Sequence, residues 1–249
     1  MNDLFGFTRN VVKELYALFT PSGFVPSQLP GWSNAVCVVQ ISPALGAQFS
    51  QTLITLAKNG QGRGHSRTNE YFVYVLEGNC MAKIDNNQRS LAAGSYVYLP
   101  PDRDFQFDAT AEGARLLVFE KVYQTLRGVG IPEPLVKQEG QVAGLPFLGN
   151  ADATLQTLLP DTAHFDMAVN IFTYQPGATL PFVETHIMEH GLAMLSGQGI
   201  YRLGADYYPV QAGDVIWMAP YCPQWFVAMG KTPARYIYYK DVNRAPMTQ

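Results

Sequence analysis

The sequence is poor in charge and contains neither basic runs nor long apolar runs. Asp, Glu, Lys and Arg make up 15% of its 249 residues, and the formal net charge is −3. The absence of a basic run argues against a nucleic-acid-binding protein. No eighteen apolar residues run together, and the start lacks a basic region followed by an apolar core and a cleavage site, so neither membrane spans nor a secretory signal are expected. We therefore predict a soluble, cytoplasmic protein whose partner is a small molecule.

Cysteine is also scarce. The three cysteines, Cys37, Cys80 and Cys222, are scattered and odd in number. This pattern does not form a disulfide framework and favours a reducing compartment.

Aromatic residues, glycine and proline are plentiful, with 14 Phe, 14 Tyr, 22 Gly and 17 Pro, and apolar residues make up 47% of the chain. Such a composition is typical of many short strands joined by tight turns rather than of helices. We predict an all-β fold.

The chain repeats itself at an offset of 119 residues. The offset pairs Gly78 with Gly197 and Gly94 with Gly213, and it also pairs Pro101 with Pro220 and Phe107 with Phe226. Between the paired glycines, residues 79–93 and 198–212 each predict a hairpin with a polar turn, at 85–87 and 204–206. Short apolar strands are predicted after the second glycines, at 96–99 and 215–218.

The repeat and the loop-like segments predict the domain organisation. We expect an N-terminal unit with an N-terminal arm at 1–126, a linker at 127–145 and a C-terminal unit at 146–249. Within the arm, residues 11–19 are predicted as a strand, with a short helix as the alternative.

Two of the four histidines cluster with a carboxylate in Glu184-Thr-His186-Ile-Met-Glu-His190. Side chains alternate faces along a strand, so Glu184 and His186 would share one face, and His190 would join them if the strand continues without a bulge. Two imidazoles and one carboxylate suit first-row divalent metals such as Mn²⁺ or Fe²⁺. The alternative is that both histidines are hydrogen-bonded core or surface residues.

The offset places His65, Arg67, Tyr71 and Phe105 at the corresponding positions of the first half, where Phe105 corresponds to Gln224. Because only His65 of these could bind a metal, the first unit is predicted to lack a complete metal site and to be a structural or oligomerising copy.

A specific family resemblance is carried by Gly177, Glu184-x-His186-x-x-x-His190, Gly197, Gly213 and Pro220-x-x-Pro223-Gln224. This pattern resembles the two-part cupin metal motif, with Glu184 where many cupins have histidine, His190 where they have glutamate, and Gln224 where their last histidine stands. It is similar to the bicupin (S)-ureidoglycine aminohydrolases, as are residues 195–199 and 239–244. The resemblance is close over most of 165–245 and looser before it, and it implies two tandem cupin-type jelly-roll β-barrels with few short helices.

The resemblance implies one Mn²⁺ per chain bound by Glu184, His186, His190 and Gln224. It also implies substrate contacts by Glu184, Gln224, Tyr236 and Lys240, and a homo-oligomer. We predict Glu184 and Lys240 as catalytic residues, with Lys240 or water on the metal as the alternatives for the group that moves a proton to the leaving amine. The implied reaction is hydrolytic deamination of (S)-ureidoglycine to (S)-ureidoglycolate and ammonia in allantoin, or ureide, catabolism. A ligand set with one negative charge leaves the divalent ion net positive, which favours an anionic ureido amino acid.

Two other functions are compatible with this sequence. An Fe²⁺ cupin dioxygenase uses a similar nitrogen-and-oxygen site and consumes O₂. A non-enzymatic bicupin that binds a small molecule would show no turnover. Ammonia release separates the aminohydrolase from both.

Overall fold

The computed structural model describes residues 6–244, and nearly all of its regular structure is β-strand. The helical elements of this range are three 3-10 helices of three residues each, Pro21–Gly23, Pro43–Leu45 and Glu139–Gln141. The predicted all-β fold with few short helices is therefore confirmed.

The strands are numbered in chain order. The arm contributes β1 (Val11–Val12) and β2 (Tyr16–Phe19). The first barrel contains β3 (Trp32–Ile41), β4 (Ser50–His65), β5 (Asn69–Ile84), β6 (Asn87–Ala92), β7 (Ser95–Leu99), β8 (Asp104–Val122) and β9 (Leu135–Gln138). The second barrel contains β10 (Leu145–Phe147), β11 (Asn150–Thr157), β12 (Met167–Tyr174), β13 (His190–Ser196), β14 (Gln198–Leu203), β15 (Asp206–Gln211), β16 (Val215–Met218), β17 (Gln224–Met229) and β18 (Ala234–Asp241).

The first barrel is a seven-stranded antiparallel sheet in the order β3-β4-β8-β5-β7-β9, with β6 paired to β5. The β5–β6 hairpin closes at the Ile84–Asn87 pair, as the sequence predicts, and Asp85 in its turn has a φ of 50°. Asp tolerates this left-handed conformation better than most residues. Inward apolar side chains of the strands form one core, which includes Val73, Val75, Leu99, Phe107 and Leu116.

The second barrel combines an eight-stranded sheet, in the order β1-β2-β16-β13-β18-β12-β11-β10, with the three-stranded sheet β15-β14-β17. Its predicted hairpin is also confirmed, because β14 and β15 close at the Leu203–Asp206 pair around Gly204. The buried core of this barrel is rich in aromatic residues, including Phe172, Tyr174, Tyr201, Phe226, Tyr236 and Tyr238.

The paired glycines of the repeat have the same backbone role in both barrels. Gly78 and Gly197 each have a φ of +73°. A Cβ atom would lie 2.3 Å from the Gly113 carbonyl oxygen in the first barrel and 2.5 Å from the Pro233 carbonyl oxygen in the second. Both the left-handed conformation and the close backbone approach require glycine.

The compact units of the structure do not follow the predicted ranges 1–126, 127–145 and 146–249. Among the described residues, one unit contains 6–24, 144–159 and 168–241, and the other contains 25–143, 160–167 and 242–244. The arm was predicted to belong to the N-terminal unit, but its strand β2 pairs with β16 of the second barrel. The predicted linker includes β9, which pairs with β7. Strand pairing over long sequence separations decides both assignments.

The arm forms strand rather than helix, in two short pieces. β1 and β2 pair with each other through Val11–Leu18 and Val12–Ala17. Arg9 extends the contact, because its guanidinium forms two hydrogen bonds with the buried carboxylate of Asp214, at 2.9 and 2.8 Å. The arm is thus fixed to the second barrel by backbone pairing and by a bidentate ion pair.

Cys37, Cys80 and Cys222 are all buried and free. Throughout residues 6–244, every helix is too short or too polar to cross a membrane.

A buried charge cluster lies in the unit that contains the first barrel. The Lys121 ammonium contacts the Asp166 carboxylate and lies 3.5 Å from Glu70 Oε1, while the Tyr98 hydroxyl donates to Glu70 Oε2 at 2.7 Å. Burial, followed by the neighbouring Asp166, raises the pKa of Glu70 from 4.5 to about 8, although Lys121 opposes the shift. Native Glu70 therefore keeps a proton that the unfolded chain releases above its ordinary pKa.

We expect Glu70→Gln to remove a pH dependence of stability. Between pH 4.5 and 8 the native state binds one more proton than the unfolded state, so this contribution to stability declines as pH rises. The free energy of unfolding of the variant, minus that of wild type, should rise across this window by up to about 1.4 kcal/mol per pH unit. Urea denaturation at several pH values measures this difference.

Glu77→Gln is the matched control, because Glu77 is exposed and pairs with Arg115 at the surface. A flat difference for Glu70→Gln, like that of the control, would contradict the raised pKa.

Candidate functional site

The site lies at one end of β13, the strand between β16 and β18. His190 is the first residue of β13, is only 6% exposed, and lies opposite Lys240 of β18 and Met218 of β16. Directly opposite residues in an antiparallel pair project to the same face. The register therefore brings the His190 imidazole and the Lys240 side chain to the same face of the sheet.

Glu184 and Gln224 form a second cross-strand pair. The amide of each donates to the carbonyl oxygen of the other, at 2.9 Å in both directions, so their side chains also share a face. The condition under which His190 would share the face of Glu184 and His186, a strand continuing to His190 without a bulge, is not met. The chain leaves the sheet after the Glu184 bridge, and the His186 carbonyl accepts a hydrogen bond from the Tyr221 amide at 2.7 Å.

His186 reaches the same place from this loop. Its Nε2 atom lies 3.1 Å from Gln224 Nε2, and its ring centroid lies 4.9 Å from that of His190. The Tyr201 hydroxyl donates to Gln224 Oε1 at 3.3 Å. His186, His190 and Gln224 are therefore brought together by the loop, β13 and β17, as the sequence analysis expected.

Burial controls the charge of these side chains. It lowers the pKa of His190 well below its ordinary value, and the neighbouring His186 and Lys240 add to this effect. Burial and Lys240 lower the pKa of His186 as well. Both imidazoles are therefore neutral near pH 7 and have a nitrogen lone pair available. Burial raises the pKa of Glu184, whereas the Lys240 charge lowers it.

The donor atoms suit a cation. The buried Nε2 atom of His190 has no hydrogen-bond partner in the described part of the chain. A buried nitrogen without a partner destabilises the fold by about 1–3 kcal/mol unless a ligand satisfies it. Yet in residues 6–244 no three His, Cys, Asp or Glu side chains form a group that could hold a metal ion, so Glu184, His186 and His190 do not surround one point in this structure. The four-residue ligand set stays a prediction.

Comparison with known proteins identifies the family. The cupin domain model matches twice, at 52–120 and 170–239. The chain is 40% identical to the (S)-ureidoglycine aminohydrolase of Arabidopsis thaliana, over 99% of this chain and 82% of that protein. It is 36% identical to the (S)-ureidoglycine aminohydrolase of Escherichia coli K12, over 92% and 89% of the two chains. The chain belongs to the (S)-ureidoglycine aminohydrolase family.

A solved structure agrees with this assignment. The crystal structure of protein Ylba from E. coli superposes on this bicupin with a TM-score of 0.88, at 33% identity and over 97% of each chain. The predicted fold of two tandem cupin barrels is therefore confirmed.

In this family member the predicted substrate residue Tyr236 lies in an aromatic cluster. Tyr236 and Lys240 share one face of β18, as predicted from their spacing. Tyr236 is 2% exposed, and its hydroxyl lies 3.1 Å from that of Tyr174. Burial raises the pKa values of both phenols, so both stay protonated. Contact between Tyr236 and a substrate stays a prediction.

Sequence reasoning missed two site residues and underrated a third. The Tyr238 ring stacks on His190, with centroids 5.2 Å apart. Tyr174 and Tyr201 lie close enough to Glu184 for its charge to raise their pKa values, after the larger effect of burial. Strand parity could have found Tyr238, because it lies between Tyr236 and Lys240 on the same face. From the sequence, Tyr201 was interpreted as a strand aromatic that fills the barrel, with a wall of the substrate pocket as the alternative.

Glu189 connects the site loop to the barrel. The sequence left open whether it is an exposed loop carboxylate, but it is 2% exposed and accepts a hydrogen bond from Trp217 Nε1 at 3.2 Å. Its backbone amide donates to Asp241 Oδ1 at 2.7 Å. The end of β18 therefore fixes the backbone just before His190.

We expect Asp241→Ala to loosen the loop at 184–189. The Glu189 amide loses a charged acceptor, worth about 1.5–3 kcal/mol, so its hydrogen exchange should accelerate about tenfold or more. Hydrogen–deuterium exchange of peptides covering 186–192 measures this change. Asp241→Asn keeps an oxygen acceptor and should exchange more slowly than the alanine variant, while Asp161→Ala, at an exposed turn, should match wild type. Unchanged exchange in Asp241→Ala would refute the anchoring role.

Proposed function

We propose that this protein hydrolyses (S)-ureidoglycine to (S)-ureidoglycolate and ammonia in ureide catabolism, with Mn²⁺ bound in the second barrel. The observation that carries the proposal is the double cross-strand pairing of Glu184 with Gln224 and of His190 with Lys240. Those residues belong to a chain that matches the curated aminohydrolases over more than nine tenths of its length. A cytoplasmic location and a homo-oligomeric state stay predictions from the sequence.

In this proposal Glu184, His186, His190 and Gln224 hold the metal. The two imidazoles are neutral and donate nitrogen lone pairs, and the carboxylate and amide donate oxygen. A mixed nitrogen and oxygen set of this kind suits Mn²⁺. When bound, the ion supplies Lewis-acid polarisation of the substrate. Tyr201 holds the Gln224 amide in place through its hydroxyl.

Lys240 binds the substrate carboxylate. It lies opposite His190, and its charge is close enough to act on Glu184, His186 and His190. Attraction between a lysine and a carboxylate is stronger in such a half-buried, aromatic-lined place than in bulk water. Lys240 therefore orients an anionic ureido amino acid at the ligand cluster.

The reaction also needs proton transfer. Breaking the carbon–nitrogen bond is easier when the leaving amine departs protonated, so an acid must act at that nitrogen. We assign this role to Lys240, whose ammonium carries protons. We assign to Glu184, whose pKa is raised by burial, the acceptance of the proton of the attacking water.

Ammonia release from freshly prepared (S)-ureidoglycine tests the proposal. The Mn²⁺-loaded protein should release ammonia above the spontaneous rate, and Glu184→Ala should lower kcat/KM by about 100-fold or more because it removes both a ligand and a base. Glu112→Ala is the matched control, because Glu112 is an exposed glutamate of the first barrel. Full turnover by a folded Glu184→Ala protein would refute the site assignment. Oxygen uptake without ammonia release would favour the dioxygenase.

Metal binding can be tested without turnover. His190→Ala should abolish stoichiometric Mn²⁺ binding in calorimetry, or weaken it about 100-fold or more, because it removes the buried Nε2 donor. His164→Ala should bind Mn²⁺ like wild type, since His164 is exposed and lies outside the site. Equal Mn²⁺ affinity in the two variants would contradict the ligand set, whatever the activity.

A further inference from the structure

The first barrel contains a cavity of about 480 Å³ that the proposed reaction does not use. Its apolar wall is formed by side chains that include Trp32, Val73, Leu99, Phe105, Phe107 and Val118. The polar groups that line it include Arg63, His65, Arg67, Tyr71 and Glu120. A concave, mostly apolar space with a few convergent polar groups is typical of small-molecule sites.

The cavity occupies the position of the ligand cluster in the other half of the repeat. All four first-barrel counterparts of the proposed metal ligands line it, namely His65, Arg67, Tyr71 and Phe105. Strand register repeats as well. Tyr71 lies opposite Glu120 and Leu99. In the second barrel, His190 lies opposite Lys240 and Met218.

The charges at corresponding positions differ between the two barrels. Glu120 supplies a carboxylate where the second barrel has the Lys240 ammonium. Arg67 supplies a guanidinium where the second barrel has the neutral imidazole of His186. A ligand of the first barrel must therefore present a cationic or donor group at Glu120 and an anionic group at the arginines.

The Glu120 carboxylate is held in one orientation. Its Oε1 atom accepts hydrogen bonds from the Tyr71 hydroxyl and from Asn69 Nδ2, both at 2.6 Å. Within residues 6–244 no protein group donates to Oε2, so this atom is available to a ligand. A carboxylate that is fixed beforehand binds a cationic nitrogen with a smaller loss of side-chain entropy.

The aromatic wall favours a planar ligand. The Trp32 and Phe107 rings are stacked with centroids 6.4 Å apart, and the Phe105 ring lies 5.4 Å from that of Tyr71. Two glycines of β4 make room for these rings. A Cβ atom at Gly62 would lie 2.3 Å from the Trp32 ring, and a Cβ atom at Gly64 would lie 2.6 Å from the Phe105 ring.

The arginines at the cavity suit an anion. Arg67 has a left-handed φ of 53°, and its amide donates to His65 Nδ1 at 3.0 Å, which fixes the backbone there. Arg63 and Arg67 are both exposed, so their guanidinium groups can meet an incoming ligand. Guanidinium groups bind carboxylates in a planar, bidentate geometry.

We propose that the first barrel binds a small planar aromatic or heteroaromatic zwitterion, with its cationic nitrogen at Glu120 and its carboxylate at Arg63 and Arg67. The site is independent of the metal ligands and of the proposed reaction. The first barrel is then a binding unit as well as a structural one.

The probe 4-(aminomethyl)benzoate carries an amine and a carboxylate at opposite ends of a flat ring. Calorimetry with the full-length protein should give saturable binding at one site. Three analogues serve as ligand controls: 4-methylbenzoate lacks the amine, benzylamine lacks the carboxylate, and trans-4-(aminomethyl)cyclohexanecarboxylate lacks the flat ring. Each should bind about tenfold more weakly or worse, because each loses one class of contact.

Variants locate the binding site. Glu120→Gln keeps an oxygen that can accept a hydrogen bond from the Tyr71 hydroxyl but loses the negative charge. This variant should lower the affinity for the probe about tenfold or more. Arg67→Gln should do the same. Glu112→Gln and Arg89→Gln make the same charge changes at exposed positions outside the cavity and should bind like wild type.

Two results would overturn the proposal. One is the absence of saturable binding up to about 10 mM probe. The other is binding that is unaffected by Glu120→Gln and Arg67→Gln but lost in Lys240→Ala, which would place the probe in the second barrel. Neither result bears on ammonia release, so this proposal and the proposed function fail independently.

Discussion

The register between β13 and β18 fixes the chemistry of the second barrel. It places His190 opposite Lys240, and the next residues on the same face of β13, Leu192 and Met194, are buried in the core with Tyr238. A slip of one residue would move Leu192 and Met194 out of this core to the opposite face of the sheet. The packing of the core therefore selects the same register that brings the imidazole and the ammonium together. The same strand register is thus needed both for the packing of the core and for the assembly of the site.

The two barrels show how one frame can carry different chemistry. Gly78 and Gly197 have the same φ, and Tyr71 and His190 start equivalent pairings. These features are required by the backbone and the core. The side chains at positions 71 and 105 of the first barrel, and at 190 and 224 of the second, differ in chemistry although the strand pairings are equivalent. Such positions can exchange a metal ligand for an aromatic or a charged residue without loss of the fold.

The sequence predicted features that depend on local periodicity. The hairpins, the strands at 96–99 and 215–218 and the shared face of Tyr236 and Lys240 follow from alternation and turn residues. The loop between Glu184 and His190 did not follow, because a backbone hydrogen bond from Tyr221, 35 residues away, replaces strand pairing at His186. The pairing of the arm with β16 is equally non-local. Parity within a strand can be read from a sequence, but the partner of that strand cannot.

The clustering of His186, His190 and Gln224 was predictable chiefly through the family motif. Spacing alone put Glu184 and His186 on one strand face, with His190 added only if the strand continued, and β13 begins at His190. The Tyr238 ring of β18 stacks on His190, and burial lowers the pKa values of both imidazoles. No local pattern near the histidines encodes that environment.

The contrast between His190 and Tyr71 supports the proposed metal ion in the second barrel. Both residues start the same pair of strand contacts. The Tyr71 hydroxyl is satisfied by Glu120 at 2.6 Å, whereas the buried Nε2 of His190 has no partner among residues 6–244. An unsatisfied buried nitrogen costs about 1–3 kcal/mol of stability, and the first barrel shows that this frame can avoid the cost with a hydrogen-bonded residue. A buried nitrogen without a protein partner at His190 is compatible with a stable fold when a bound metal ion satisfies it and restores the lost stability.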